Sequence, residues 1–174
     1  EILNEPNANQ ILHWETLGQE KAVNPEIYGR IAVDLYETVK PAHPSVQFVA
    51  GSLLHDRESG QIDHLDWLRA VYESTAVRDY VQRTGRYPWD GISIHPYNLP
   101  PEETLADLRR LHALQTEYGD TSGVWVTEIG YPAAPPEWSV SGIMDPTQPE
   151  LEQAEFLREV YTLIRDQAPF VDRV

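Results

Sequence analysis

Residues 123–132 read GVWVTEIGYP: a short run of valine and tryptophan that stops at a carboxylate. A run so short and so apolar suits a strand covered on both faces, as parallel strands packed under helices are. Side chains alternate along a strand, so Val124, Val126 and Glu128 share one direction while Trp125 and Thr127 share the other. That parity predicts Glu128 as the polar end of an inward apolar row, with Trp125 and Thr127 packed outward under helices.

Three more stretches have the same character. They are DGISIHPY (Asp90 to Tyr97), VQFVAGSL (Val46 to Leu53) and, at the start of the chain, EILN (Glu1 to Asn4). Helix signals fill the intervals. Asn24-Pro25-Glu26 combines an N-cap, a first-turn proline and a first-turn acid, and Ile27, Ile31, Leu35 and Val39 follow at four-residue spacing. Residues 62–83 are mostly helical in pattern, with Leu65, Leu68 and Val71 as the inward positions. Pro100 to Glu103 opens a helix whose Leu105, Leu108, Leu111 and Leu114 form one stripe. Thr147 to Glu150 has capping-box spacing, and the helix after it is expected to bury Leu151, Ala154, Leu157 and Ile164.

Strand and helix thus alternate four times at roughly 35 to 45 residues per unit, the pattern of a parallel α/β fold. No glycine-rich phosphate loop follows any of the strands, which weighs against a nucleotide-binding doubly wound sheet. A complete (β/α)8 TIM barrel takes about 250 residues, so four units amount to about half of one. The expectation is a single domain spanning 1–174, a partial barrel. The proline-rich stretch 132–149 is expected as a long loop after a strand and not as a linker.

Composition narrows the partners. There are 28 acidic and 13 basic residues, a net charge of −15, which argues against nucleic acid or an anionic membrane surface. Cysteine is absent, so neither a disulfide framework nor a thiolate metal site is available. No apolar run approaches the roughly 20 residues of a membrane span.

In a (β/α) barrel the chemistry gathers where the strands end. Those ends carry Asn4-Glu5, Ser52, His95-Pro96-Tyr97 and Thr127-Glu128. Taken singly, each has an ordinary explanation: an Asn-Glu-Pro turn, a polar residue closing a strand, a histidine or tyrosine on a rim. Together they put two carboxylates, an amide, an imidazole and a phenol around one mouth.

The order LNEPN, ISIHPY, VTEIGYP resembles clan A of the glycoside hydrolases, a (β/α)8 family. It is most similar to glycoside hydrolase family 39 and its bacterial exopolysaccharide-associated relatives. The likeness also covers VAGSL, HPY followed by PEETLADLRRL, and Glu-x-Gly-Tyr followed by Gln153-Ala154. It implies that Glu1–Asn4 belongs to the clan's strand four and that the chain is an internal piece running to helix seven, without strands one to three or eight. The arginine that the clan usually places near its nucleophile is then missing too. Such a piece is expected to be inactive alone and to associate through its open strand edges.

The resemblance implies a retaining O-glycoside hydrolase acting on a β-linked oligo- or polysaccharide, with Glu5 as acid/base and Glu128 as nucleophile. Asn4 would bind the sugar 2-hydroxyl, Tyr97 would donate to Glu128, and His95 would orient the pair or touch the sugar. Trp14 and Trp138 would stack on sugar rings. No cofactor is implied, and an extracellular or periplasmic location fits the relatives. Two alternatives stand beside this one. The first is a non-catalytic carbohydrate-binding barrel. The second is a metal-dependent hydrolase using His55-Asp56, Asp63-His64 and Asp66, which lack H-x-x-x-H or H-E-x-x-H spacing; no metal ligand is assigned on that basis.

Overall fold

Helix and strand alternate along the chain as the apolar pattern predicts. The structure, a computed structural model, describes residues 1–8, 23–55, 62–97, 99–131, 133 and 149–174. Its elements run α1 (Pro25–Val39), β1 (Val49–Leu54), α2 (His64–Tyr72), α3 (Thr75–Thr84), β2 (Gly91–His95), α4 (Pro101–Glu117), β3 (Gly123–Val126), α5 (Pro149–Gln167) and β4 (Val171–Arg173). The four strands form one sheet in the order β1-β2-β3-β4, with every neighbouring pair parallel. Sequential order means that each crossover adds its strand at the same edge and turns the same way, which sets the helices on one face. That is the arrangement of consecutive units of a (β/α) barrel, whereas a doubly wound sheet reverses order at a switch point.

Which segments supply the strands differs from expectation at both ends. Glu1–Asn4 is not a regular strand. It lies along β1, with Ile2 N–H donating to Val49 O (2.9 Å) and Glu5 N–H to Ser52 O (3.0 Å). Positive φ at Leu3 (60°) and Glu5 (43°) bends it out of extended conformation. Conversely, Val171–Arg173 pairs with β3 as a fourth strand, whereas the sequence reading ends the chain at the preceding helix, where the next strand would begin.

The helices bury the faces their packing demands. Asn24 caps α1 as the sequence predicts, its side chain accepting from Glu26 N–H at 2.9 Å. Of the predicted stripe, Ile31 and Val39 pack partly buried against the core, but Ile27 and Leu35 face out, 56% and 40% exposed. Tyr28, Ala32, Val33 and Tyr36 face the core instead. Tyr28 wins its place through its polar tip as well as its ring: its hydroxyl donates to Ile2 O at 3.0 Å and accepts from Gly51 N–H at 2.8 Å. The 62–83 segment breaks into α2 and α3 at Ser74; Leu68 and Val71 are buried as predicted, and Leu65 is partly so. All four leucines of the α4 stripe are buried. In α5, Ile164 is buried and Leu157 half-buried, but Leu151 and Ala154 are exposed, and Phe156 and Val160 take the inward positions. Thr147 lies outside the described residues.

The register supplies a further correction. Val124 and Val126 pair with Ile92 and Ile94, and all four belong to the apolar core with the α4 leucines. The alternation in GVWVTEIGYP is therefore correct and its direction inverted: the valines face the helices. One step beyond Ile94↔Val126, His95 comes level with Thr127 on the opposite face. Ser93 lies on that face too, its hydroxyl accepting from Ser52 N–H at 2.7 Å. This polar inner face is what positions the site.

Candidate active site

The site is built at the ends of β2 and β3 and at the turn that begins the chain. His95, the last residue of β2, has 0% of its surface exposed, and both ring nitrogens meet polar partners. Nδ1 lies 2.9 Å from Glu5 Oε1 and 3.7 Å from Glu128 Oε2. Nε2 lies 3.1 Å from Thr127 Oγ1 and 3.9 Å from Glu1 Oε1. An ionised Glu5 only accepts, so Nδ1 then carries the proton and Nε2 accepts from the Thr127 hydroxyl. A proton on Glu5 Oε2 leaves this pattern intact, because Oε1 still accepts from Nδ1–H. The imidazole thus has a partner for either state of the carboxyl.

Glu5 is presented by strained backbone. Its φ of 43° falls in the left-handed region, which costs a non-glycine residue about 1–3 kcal/mol. Hydrogen bonds on both sides hold it there: Glu5 N–H to Ser52 O (3.0 Å), Ala8 N–H to Glu5 O (3.0 Å) and Val23 N–H to Pro6 O (2.8 Å). Asn7 is the buried clamp. Its amide donates to Leu54 O (2.9 Å) and Ile62 O (3.3 Å), and its carbonyl accepts from Leu54 N–H (3.0 Å).

Across the mouth, Glu128 sits just past β3 and accepts from Tyr97 O–H at 2.9 Å. Partial burial and the nearby Glu128 and Glu5 carboxylates push the Tyr97 phenol up to about 12, so it remains a donor at neutral pH. The two glutamates are in different surroundings, with side-chain exposure of 9% for Glu5 and 44% for Glu128. One carboxylate oxygen from each and a His95 nitrogen all lie within 4.8 Å of one another.

The structure therefore brings Glu5, His95, Tyr97 and Glu128 together. Asn4 is exposed beside Glu5. Trp14 and Trp138 lie outside the described residues. Thr127, assigned outward by parity, instead serves His95. Asn7 and Thr127 are the two contributors that motif reading passes over. Asn7 is nonetheless the last letter of NEPN, and Thr127 is a polar residue adjoining the strand end. Two sets of side chains have the donor spacing for a cation: Glu5, His95 and Glu128, and separately His55, His64 and Asp107. In the first set the donor atoms are already engaged in hydrogen bonds with one another and with Tyr97. No helix among the described residues is long and apolar enough to cross a membrane.

No protein-family model matches the chain, and no curated protein matches it. Among solved structures it is similar to a β-glucuronidase from an uncultured Clostridium sp., at 15% identity and a TM-score of 0.40. The match covers 89% of this chain and 29% of that one. The chain thus spans less than a third of the length of that enzyme.

Proposed function

We propose that the chain carries the catalytic pair of a retaining O-glycoside hydrolase, with Glu5 as acid/base and Glu128 as nucleophile, acting on a β-linked oligo- or polysaccharide. The observation that carries this reading is the approach of the two carboxylates to within 4.8 Å across one mouth. Retaining enzymes hold their carboxyl groups about 5–5.5 Å apart, whereas inverting enzymes leave about 6.5–9.5 Å for a water between them.

The surroundings fit the division of labour. An acid/base must be able to exist neutral, and burial is where a neutral carboxyl costs least. A nucleophile must exist ionised, and a phenolic donor at 2.9 Å stabilises that form of Glu128. In the first step Glu128 attacks the anomeric carbon while the Glu5 proton passes to the departing glycosidic oxygen, which leaves as an alcohol. In the second, Glu5 takes a proton from water, whose oxygen displaces Glu128 and restores the anomeric configuration. His95, with no exposed surface, serves the first proton transfer by holding Glu5 in both states, and orienting is the role its burial favours. Asn4, exposed and adjacent to Glu5 in sequence, takes the sugar 2-hydroxyl in this reading, and Trp14 and Trp138 complete the proposal as stacking platforms.

The test uses Glu128→Ala in the enzyme carrying this chain. Turnover of an aryl β-glycoside should fall by at least about 1,000-fold. Azide or formate should restore it, giving the product of opposite anomeric configuration. Normal turnover without a rescuing anion would end the assignment.

A further inference from the structure

A second polar cluster lies outside the glycosidase machinery. His55 follows β1 directly, His64 is the first residue of α2, and Asp107 belongs to α4. All three are buried. Asp107 Oδ2 is 2.7 Å from His55 Nδ1 and 3.2 Å from His64 Nε2, and the two rings meet edge-on with centroids 4.9 Å apart. Both contacts are at ion-pair distance, yet His55 Nδ1, His64 Nε2 and Asp107 Oδ2 lack a well-aligned hydrogen-bond partner. The atoms are close without N–H directions aimed at the carboxylate.

Side chains that share a cation behave in this way. Each donor points at the ion, so the line from donor to donor is well off the donor's own axis. In a tetrahedral shell with bonds of about 2.0–2.1 Å, donor atoms lie about 3.3 Å apart. The His64 contact matches that spacing, and the His55 contact needs to open by about half an ångström. The remaining carboxylate oxygen of Asp107 accepts from Arg110, leaving Oδ2 as the oxygen available to a metal. Asp63 Oδ2 stands 3.9 Å from the other nitrogen of His64, on the side where an outer carboxylate orients a ligating imidazole. The active-site cluster of Glu5, His95 and Glu128 differs on this point, because its atoms are hydrogen-bonded.

We propose that His55, His64 and Asp107 form a binding site for a divalent transition-metal ion, with Zn²⁺ the best match. Two imidazoles and one carboxylate are borderline donors suited to zinc; calcium and magnesium take oxygen shells. The ion ties the end of β1, the start of α2 and α4 together. Asn7 anchors the Glu5 turn to Leu54 and Ile62 in the same region. The site is independent of the glycosidase reading and does not enter its chemistry.

The experiment strips the purified protein with a chelator and titrates Zn²⁺ back against a chromophoric competitor. Thermal unfolding is followed in parallel, and Co²⁺ is used as a spectroscopic substitute. About one equivalent should bind, and saturation should raise Tm by about 5 °C, as ligation of the folded state requires. His64→Ala should weaken binding by at least the ~100-fold that loss of an outer partner can cost. The Glu5→Gln, Glu128→Gln double variant should bind as the parent does. Unchanged affinity in His64→Ala, or loss of the ion in the double variant, would overturn the assignment. If His64→Ala fails to fold, the parent protein decides: a tetrahedral Co²⁺ spectrum with a Tm rise supports the site, and absence of either refutes it.

Discussion

Tyr97 and His95 divide the work of keeping two neighbouring carboxylates distinct. The Tyr97 hydroxyl reaches Glu128 alone, while His95 Nδ1 sits nearer to Glu5 than to Glu128. A donor to a charged group is worth about 1.5–3 kcal/mol, so Tyr97→Phe should lower kcat by about 10- to 100-fold. Under the proposed roles that loss falls on attack by Glu128. It should therefore persist on aryl substrates with good leaving groups, which stopped-flow release of the aryl alcohol would measure. A Tyr97→Phe enzyme with unaltered pre-steady-state rates would remove the phenol from the mechanism.

The β1 strand places the site through one irregularity. Its pairing with β2 slips between Ala50 and Leu53, where Gly51 has φ 96° and Ser52 φ 48°. The slip aims Ser52 O at the Glu5 amide and Gly51 N–H at the Tyr28 hydroxyl. Bulges commonly re-aim backbone next to active sites. A Cβ on Gly51 would meet Ser93 O at 2.7 Å, and the positive φ is itself unfavourable for alanine. Gly51→Ala should destabilise the protein by about 1–3 kcal/mol, read from the shift in urea midpoint at constant m-value. Because the bulge holds the Glu5 turn, activity should fall more than stability alone explains. A variant as stable and active as the parent would show that the bulge tolerates a side chain.

Over the whole molecule the tyrosines record how the core and the mouth are buried. Burial, reinforced by neighbouring acids, pushes Tyr87, Tyr97 and Tyr131 up to about 12, and Tyr28 and Tyr72 still further. A raised phenol pKa means that the folded protein holds the proton more tightly than the unfolded chain does. The stabilisation is complete below the unfolded value near 10 and is lost as pH rises through the folded values. Absorbance at 295 nm should therefore show these five unionised at about pH 10.5 in the folded protein, with normal titration in denaturant. Full ionisation at that pH without loss of circular dichroism would contradict the burial described. Stability should fall from about pH 10 upward, where the unfolded chain ionises while the folded protein does not.

Local rules made much of this protein legible in advance. The apolar runs in GISIH and GVWV, the Asn24 cap and the α4 leucines specify strands, a helix start and a buried face through short-range preferences. NEPN, HPY and TEIGY mark where polar groups follow those strands. Long-range pairing settled the rest. Period-two alternation says which residues share a face, but only the helices packed on one side of the sheet tell that Val124 and Val126 face them and that Thr127 joins His95. Likewise, four-residue spacing identifies a stripe on α1 or α5 without saying which stripe meets the core, and Tyr28 and Phe156 prevailed through the contacts available to them. The meeting of Glu5 with Glu128, and of His55 with Asp107, joins residues far apart in the chain. Such encounters depend on strand register and crossover geometry, which no single segment encodes by itself.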